Sequence, residues 1–184
     1  MARAVLLGML LCLIASLACA QAVKVRSSTQ LSPDVAVSSL SISATPSVVM
    51  FSLVPRGVAA GSSAVAVTTT WGGSLCLFTC TINVYAYFAN PAAALAGGSP
   101  VADIPSSSVF GEVPTGTPTS FTSFTQSSPF GGASGLELFS QSWFLYAGAG
   151  SRTDALDLEI NLTNLPQLPA ATYSGTLFIQ AQSL

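Results

Sequence analysis

The chain has no histidine, and charged residues make up only 7% of its 184 positions, against about 25% in an ordinary soluble domain. Each shortage excludes something. Without an imidazole there is no general base for a Ser or Cys triad, and half of the usual zinc ligand set is gone. Beyond residue 20 the only basic side chains are Lys24, Arg26, Arg56 and Arg152. That is too few for the basic stripe that nucleic acid demands or for a polybasic patch on an anionic membrane. Long apolar runs are also missing from this part. Val48–Phe51 is soon closed by Pro55, and Tyr85–Phe88 by Asn90-Pro91. A bilayer span takes about 20 residues, so no membrane span is expected after the first segment. A phosphate-cradling glycine loop needs a helix behind it, and no amphipathic helix of useful length can be read. The expectation is a non-enzyme with no catalytic residues, no cofactor and no metal.

What is present begins at Met1. Met1-Ala2-Arg3 is a short positive start, Val5 to Leu17 is an apolar run, and Ala18-Cys19-Ala20 is a small-x-small site. Charge, apolar core and cleavage site in that order define a secretory signal. The expectation is cleavage after Ala20 and a secreted, periplasmic or cell-surface product. Ser16-Leu17-Ala18-Cys19 also resembles a bacterial lipoprotein site, with serine where leucine should stand.

Residues 21–37 then read as an N-terminal arm, and 38–184 as a single domain with an irregular insertion over 90–135. The polar content is mainly Ser and Thr. Low net charge with high apolar content is the reverse of the disordered signature, so a core is expected. A nearly uncharged surface repels its own copies weakly, which permits self-association.

Apolar residues alternate over short stretches punctuated by Gly, Pro, Ser and Asn, which is a strand pattern. Leu40 and Ile42 alternate with serines. Thr45-Pro46 interrupts, and Val49, Phe51 and Leu53 resume. A proline there suits an edge strand that bends or switches sheets. Val65, Val67, Thr69 and Trp71 line one face of the next strand; Ile82, Val84, Ala86 and Phe88 line another. Pro91 to Ala96 reads as one short helical turn stopped by Gly97-Gly98. Leu156, Leu158, Ile160 and Leu162 face one way, with Asp157, Glu159 and Asn161 opposite. Leu177, Ile179 and Ala181 line the last strand. Seven to nine short strands with regular turn signals predict an all-β fold, an antiparallel immunoglobulin-like two-sheet sandwich. A β-barrel is the alternative.

Four groups of residues are candidates for chemistry or binding. Cys76 and Cys80 bracket Leu77-Phe78-Thr79. If those three form a hairpin loop, the flanking Cα atoms stand about 4.5–5.5 Å apart, a spacing that a disulfide accepts. Such a staple contributes about 2 kcal/mol. Asp154, Asp157 and Glu159 fall close together, with Asp154 read into the preceding turn beside Arg152. They are the only basis for a carboxylate hydrolase, and a solvated face is the plainer reading. Tyr85, Tyr87, Trp143 and Phe178 sit on apparently outward faces beside amides and hydroxyls, as in sugar-binding sandwiches; cross-strand packing explains them equally. Asn161-Leu162-Thr163 fits a glycosylation acceptor.

The segment Leu168-Pro169-Ala170-Ala171-Thr172-Tyr173-Ser174-Gly175-Thr176-Leu177-Phe178-Ile179 resembles the closing strand of bacterial spore-coat-U and chaperone–usher pilin-type subunits. Those carry Pro-Ala-Gly-Thr-Tyr-x-x-Thr before a final strand. Ala171 stands here where glycine is usual, and the chain ends without the near-terminal tyrosine. The longer pattern, from Ser41-Ile42-Ser43-Ala44-Thr45-Pro46 through the Phe121–Gly132 loop, resembles uncharacterised secreted proteins of soil bacteria. These resemblances imply a fold and a location, with no functional residue to carry over. The leading expectation is a non-catalytic structural or assembly subunit, pilin-like at most. Its partners would be copies of itself or other surface subunits. The alternative is a carbohydrate-binding module that takes glycans. A donor-strand subunit would lack one strand of the fold and leave 22–37 as an unattached arm.

Overall fold

A computed structural model describes residues 21–31, 39–98, 102–130 and 132–184. The expected signal segment and cleavage site, with Cys12 and Cys19, lie outside the described residues, as do positions 32–37 of the arm. Twelve strands are present among the described residues: β1 Gln21–Leu31, β2 Leu40–Thr45, β3 Val48–Phe51, β4 Val58–Ala60, β5 Val65–Trp71, β6 Ser74–Phe88, β7 Val109–Glu112, β8 Thr122–Ser123, β9 Gln126–Ser128, β10 Gly132–Ala147, β11 Gly150–Asn161 and β12 Ser174–Ser183. The two-sheet sandwich is as the alternation predicts. The strands beyond the nine expected are β1, β4 and β9.

One sheet, called A here, runs in the order β3-β1-β12-β6-β10-β9. The other, B, runs β2-β5-β11-β7-β8, with β4 also on β11. The pairings are antiparallel except β1 with β12, which is parallel. Neither sheet closes into a barrel. The chain changes sheet at Thr45-Pro46, since β2 pairs β5 in B while β3 pairs β1 in A. A residue without a backbone N–H, set between two alternating runs, is where a ladder must break.

The inward rows meet in one core. Ile82, Val84, Ala86 and Phe88 of β6 face Leu156, Leu158 and Ile160 of β11, with Val65, Val67, Leu177 and Ile179 beside them, all buried. Each of the larger side chains, Ala86 apart, contributes about 1.5–3 kcal/mol when fully buried. Two aromatic contacts close the ends. Phe88 meets Phe124 edge-on at 5.3 Å, and Trp71 stacks on Phe139 at 6.2 Å. The indole N–H of Trp71 donates to the Gly148 carbonyl at 2.9 Å, so its polar atom is not lost to burial.

Three local readings need correction. The arm is, over Gln21–Leu31, strand β1, hydrogen-bonded to β3 on one side and β12 on the other. Its Val23 and Val25 are buried while Lys24 and Arg26 are exposed. That alternation is too short to stand out, because Ser and Thr follow it. Pro91–Ala96 is not a helical turn. After a turn at Pro91-Ala92, Leu95 bridges Ile104 and Ala96 bridges Ser174. Long-range pairing outcompetes a three-alanine run too short to nucleate a helix. This crossing over β12 requires glycine at 175, where a Cβ would lie 1.9 Å from the Ala94 carbonyl oxygen. Finally, Asp154 is inside β11, not in a turn. It points inward, is 4% exposed and is bonded by Arg152, whose guanidinium lies 4.2 Å from the centre of the Phe139 ring.

Candidate functional site

The outer face of sheet A carries most of the predicted aromatics. β6 presents Asn83, Tyr85 and Tyr87, and β12 presents Thr176, Phe178 and Gln180 in register beside them. Tyr87 and Phe178 stack at 5.4 Å with 21° between their planes. Phe130 continues the row at 6.0 Å from Tyr87, and it takes Tyr85 edge-on at 6.2 Å. Phe130 was not foreseen, because it stands in a Pro-Phe-Gly turn with no strand pattern. Gly135 lies opposite Tyr87 and brings no side chain there; a Cβ on it would meet Ser128 at 2.8 Å.

Stacking at about the interstrand spacing of 4.8 Å means that ring faces look at neighbouring rings, with edges toward solvent. The hydroxyls are engaged too. Tyr85 donates to Glu137 Oε2 at 2.8 Å and Tyr87 to Gln180 Oε1 at 3.2 Å. Burial raises both phenols. Tyr85, which also faces the Glu137 carboxylate, is pushed up to about 12. At the end of this row lies a hollow of about 280 Å³, lined by Phe88, Asn90, Ala93, Thr176 and Phe178 among others. It has no charged wall.

Trp143 does not belong to this face. It packs on Trp71 at 5.6 Å, turned toward the other sheet. Just beyond it the molecule changes character. Thr81 is the last β6 residue held from the β12 side, through paired bonds with Leu184. From there Ser74–Cys80 and Trp143–Ala147 continue as a ribbon of two strands. Phe144, Leu145 and Tyr146 on it are 71%, 51% and 59% exposed. They form a run of three exposed large side chains on the ribbon. No charged residue occurs from Gly72 to Phe88 or from Leu138 to Ser151.

This ribbon also holds the cysteines. The hairpin loop expected between them is absent: Cys76 and Cys80 lie within one strand, β6. In a regular strand residues four apart stand about 13 Å from each other, too far for a disulfide. The register is not regular, however. Leu75 faces Tyr146 and Thr79 faces Phe144, so residues 76–78 are compressed against the single Leu145, which takes φ of 64°. Leu75 to Thr79 therefore covers a span that two residues of β10 cover, about 7 Å. Cys80 is 1% exposed; the Cys76 side chain is outside the described residues.

The acidic residues separate across sheet B. Asp157 and Glu159 are outward on β11, and Asp157 stands directly opposite Glu112 of β7. Asp154 faces the core. The three predicted carboxylates therefore do not converge, and the hollow beside Phe178 is not lined by any of them. Among the described residues no group of three or more His, Cys, Asp or Glu side chains is arranged to hold a metal, and no helix is long and apolar enough to cross a membrane. Asn161 of the acceptor pattern accepts bonds from Thr163 N at 3.1 Å and Thr163 Oγ1 at 2.6 Å, at an exposed turn.

No family model, curated protein or solved structure matches the chain.

Proposed function

We propose that this chain is a non-catalytic exported structural or assembly subunit of the cell surface or periplasm. One observation carries the reading: the uncharged ribbon that exposes Phe144, Leu145 and Tyr146 in one run. An exposed contiguous apolar surface on a folded domain marks an interaction site. The proposal includes removal of the signal after Ala20 and a Cys76–Cys80 disulfide that holds the compressed stretch of β6. It stops short of strand exchange between copies, because β1 is already paired on both sides.

The carbohydrate alternative draws on Tyr85, Tyr87 and Phe178 sharing one face. Their faces turned to one another and their engaged hydroxyls favour packing instead.

The test is crosslinking on intact cells that export the chain. A ladder of masses is expected, lost in a Phe144→Ser, Tyr146→Ser double variant that still reaches the envelope. Recovery of the wild-type chain solely as monomer would end the reading. The mass of the exported product, before and after reduction, checks the cleavage point and the bridge.

A further inference from the structure

The basic residues of β1 and the acidic residues of β7 and β11 stand on opposite outer faces, while the one carboxylate on the sheet A face, Glu137, is bonded by Tyr85. On sheet A, Lys24 and Arg26 are exposed on β1, in register with Thr176 and Phe178. Beside them on edge strand β3, Val48 and Met50 are exposed as well, and Lys24 pairs Val48. On sheet B, Glu112 and Asp157 are cross-strand partners and Glu159 lies two residues on. Phe110 is the partner of Glu159, and Val58, which pairs Asn161, is exposed on the adjoining β4. The one ion pair among the described residues is Arg152–Asp154, which uses none of these five charged groups. Like charges directly opposite each other destabilise a sheet, and neither member of this pair is in an ion pair among the described residues.

We propose that copies of the chain stack head to tail, the outer face of sheet A in one copy lying on the outer face of sheet B in the next. The proposal rests on the assembly reading and names the partner and the two surfaces. Lys24 and Arg26 supply the charge that Glu112, Asp157 and Glu159 lack. Val48 and Met50 meet Val58 and Phe110 around them. Because the two faces differ, the contact is heterologous. Each stack leaves one face of each kind free, and growth continues into an open row unless the rotation closes a ring. An acidic saccharide would also answer Lys24 and Arg26. The second copy is favoured because it explains both faces, and a saccharide explains one.

Sedimentation velocity of the exported product over rising concentration is the test. Wild type should grow beyond monomer at low ionic strength and shrink back as salt screens the contact. Two variants, Lys24→Glu with Arg26→Glu and Asp157→Lys with Glu159→Lys, should each associate at least about tenfold more weakly. Mixed together they should associate again, since the reversed face of one then fits the reversed face of the other. Recovery on mixing excludes simple misfolding of either variant. Assembly by wild type that neither variant weakens, but that the Phe144→Ser, Tyr146→Ser variant abolishes, overturns the stacking while leaving the assembly reading intact. A wild-type monomer throughout overturns both. A monomer that binds polygalacturonate, and loses it with Lys24→Glu and Arg26→Glu, replaces the stacking with a glycan site.

Discussion

On the outer face of sheet A, Phe178, Tyr87 and Phe130 stand in a stacked row with their hydroxyl and amide neighbours bonded. At matching positions on sheet B the chain places Thr68 against Thr153 at 2.8 Å and Thr70 against Ser151 at 3.0 Å, then Asp157 opposite Glu112. Both faces obey the same alternation, in which every second residue points outward. Their contents differ, and so does what holds them. Sheet A adds dispersion and apolar burial on a nominally wet surface. Sheet B adds small hydroxyl bonds and sets two acidic residues, Asp157 and Glu112, directly opposite each other. An outward position is thus not a uniform environment; the neighbouring strand decides how much it contributes.

The sharpest way to break this contrast is Tyr87→Ala, which removes the ring between Phe178 and Phe130. It should cost about 2 kcal/mol, given the half-buried aromatic area lost, read from urea unfolding. A loss below a few tenths would make the two faces equivalent. A double-mutant cycle with Phe178→Ala should return a coupling of about 1 kcal/mol, in the range for aromatic pairs. On sheet B, Asp157→Asn should act with opposite sign. It relieves repulsion with Glu112 and stabilises by about 0.5 kcal/mol, a gain that shrinks at high salt because wild type is then screened. Thr68→Ala should cost about 0.5 kcal/mol, as one cross-strand hydroxyl pair. The last contrast has no effect at neutral pH. Tyr85 is raised from 10.0 to about 12 in the folded chain, so folding holds its proton more tightly than the unfolded chain does. Below pH 10 both states are protonated and stability is unaffected. Between pH 10 and 12 the unfolded state ionises first and stability falls. Tyr85→Phe should flatten that part of the profile, followed by tyrosinate absorbance and thermal unfolding. Sheet B has no titrating counterpart in that range.

Alternation made most of the core legible. The rows through Val65, Ile82, Leu156 and Leu177 are period-two patterns long enough to exclude a helix, and all four residues are buried. Trp143 reads as outward only if its strand is regular, whereas the register shifts between Glu137 and Phe139. A bulge reverses which residues face inward downstream of it, and nothing local announces one. Phe130 was invisible for a related reason: its partners are 43 and 45 positions away at Tyr87 and Tyr85. For the cysteines it was the local shape, not the bonding of Cys80, that the spacing misjudged. Their spacing suggested a loop, whereas the pairing of β6 with β10 makes them part of one compressed strand.

Composition and period-two alternation, which are local properties, determined that this chain builds a β sandwich with a Ser/Thr-rich, nearly uncharged surface. Neither property contains information about which strands become neighbours. Only the tertiary structure decided that β1 lies between β3 and β12, and with it that Lys24 and Arg26 stand beside Phe178. It also decided that Glu112 meets Asp157 on the opposite sheet. Strand order is set by the burial of whole rows against one another, a sum over distant residues. The charges on the outward side are carried along by that choice.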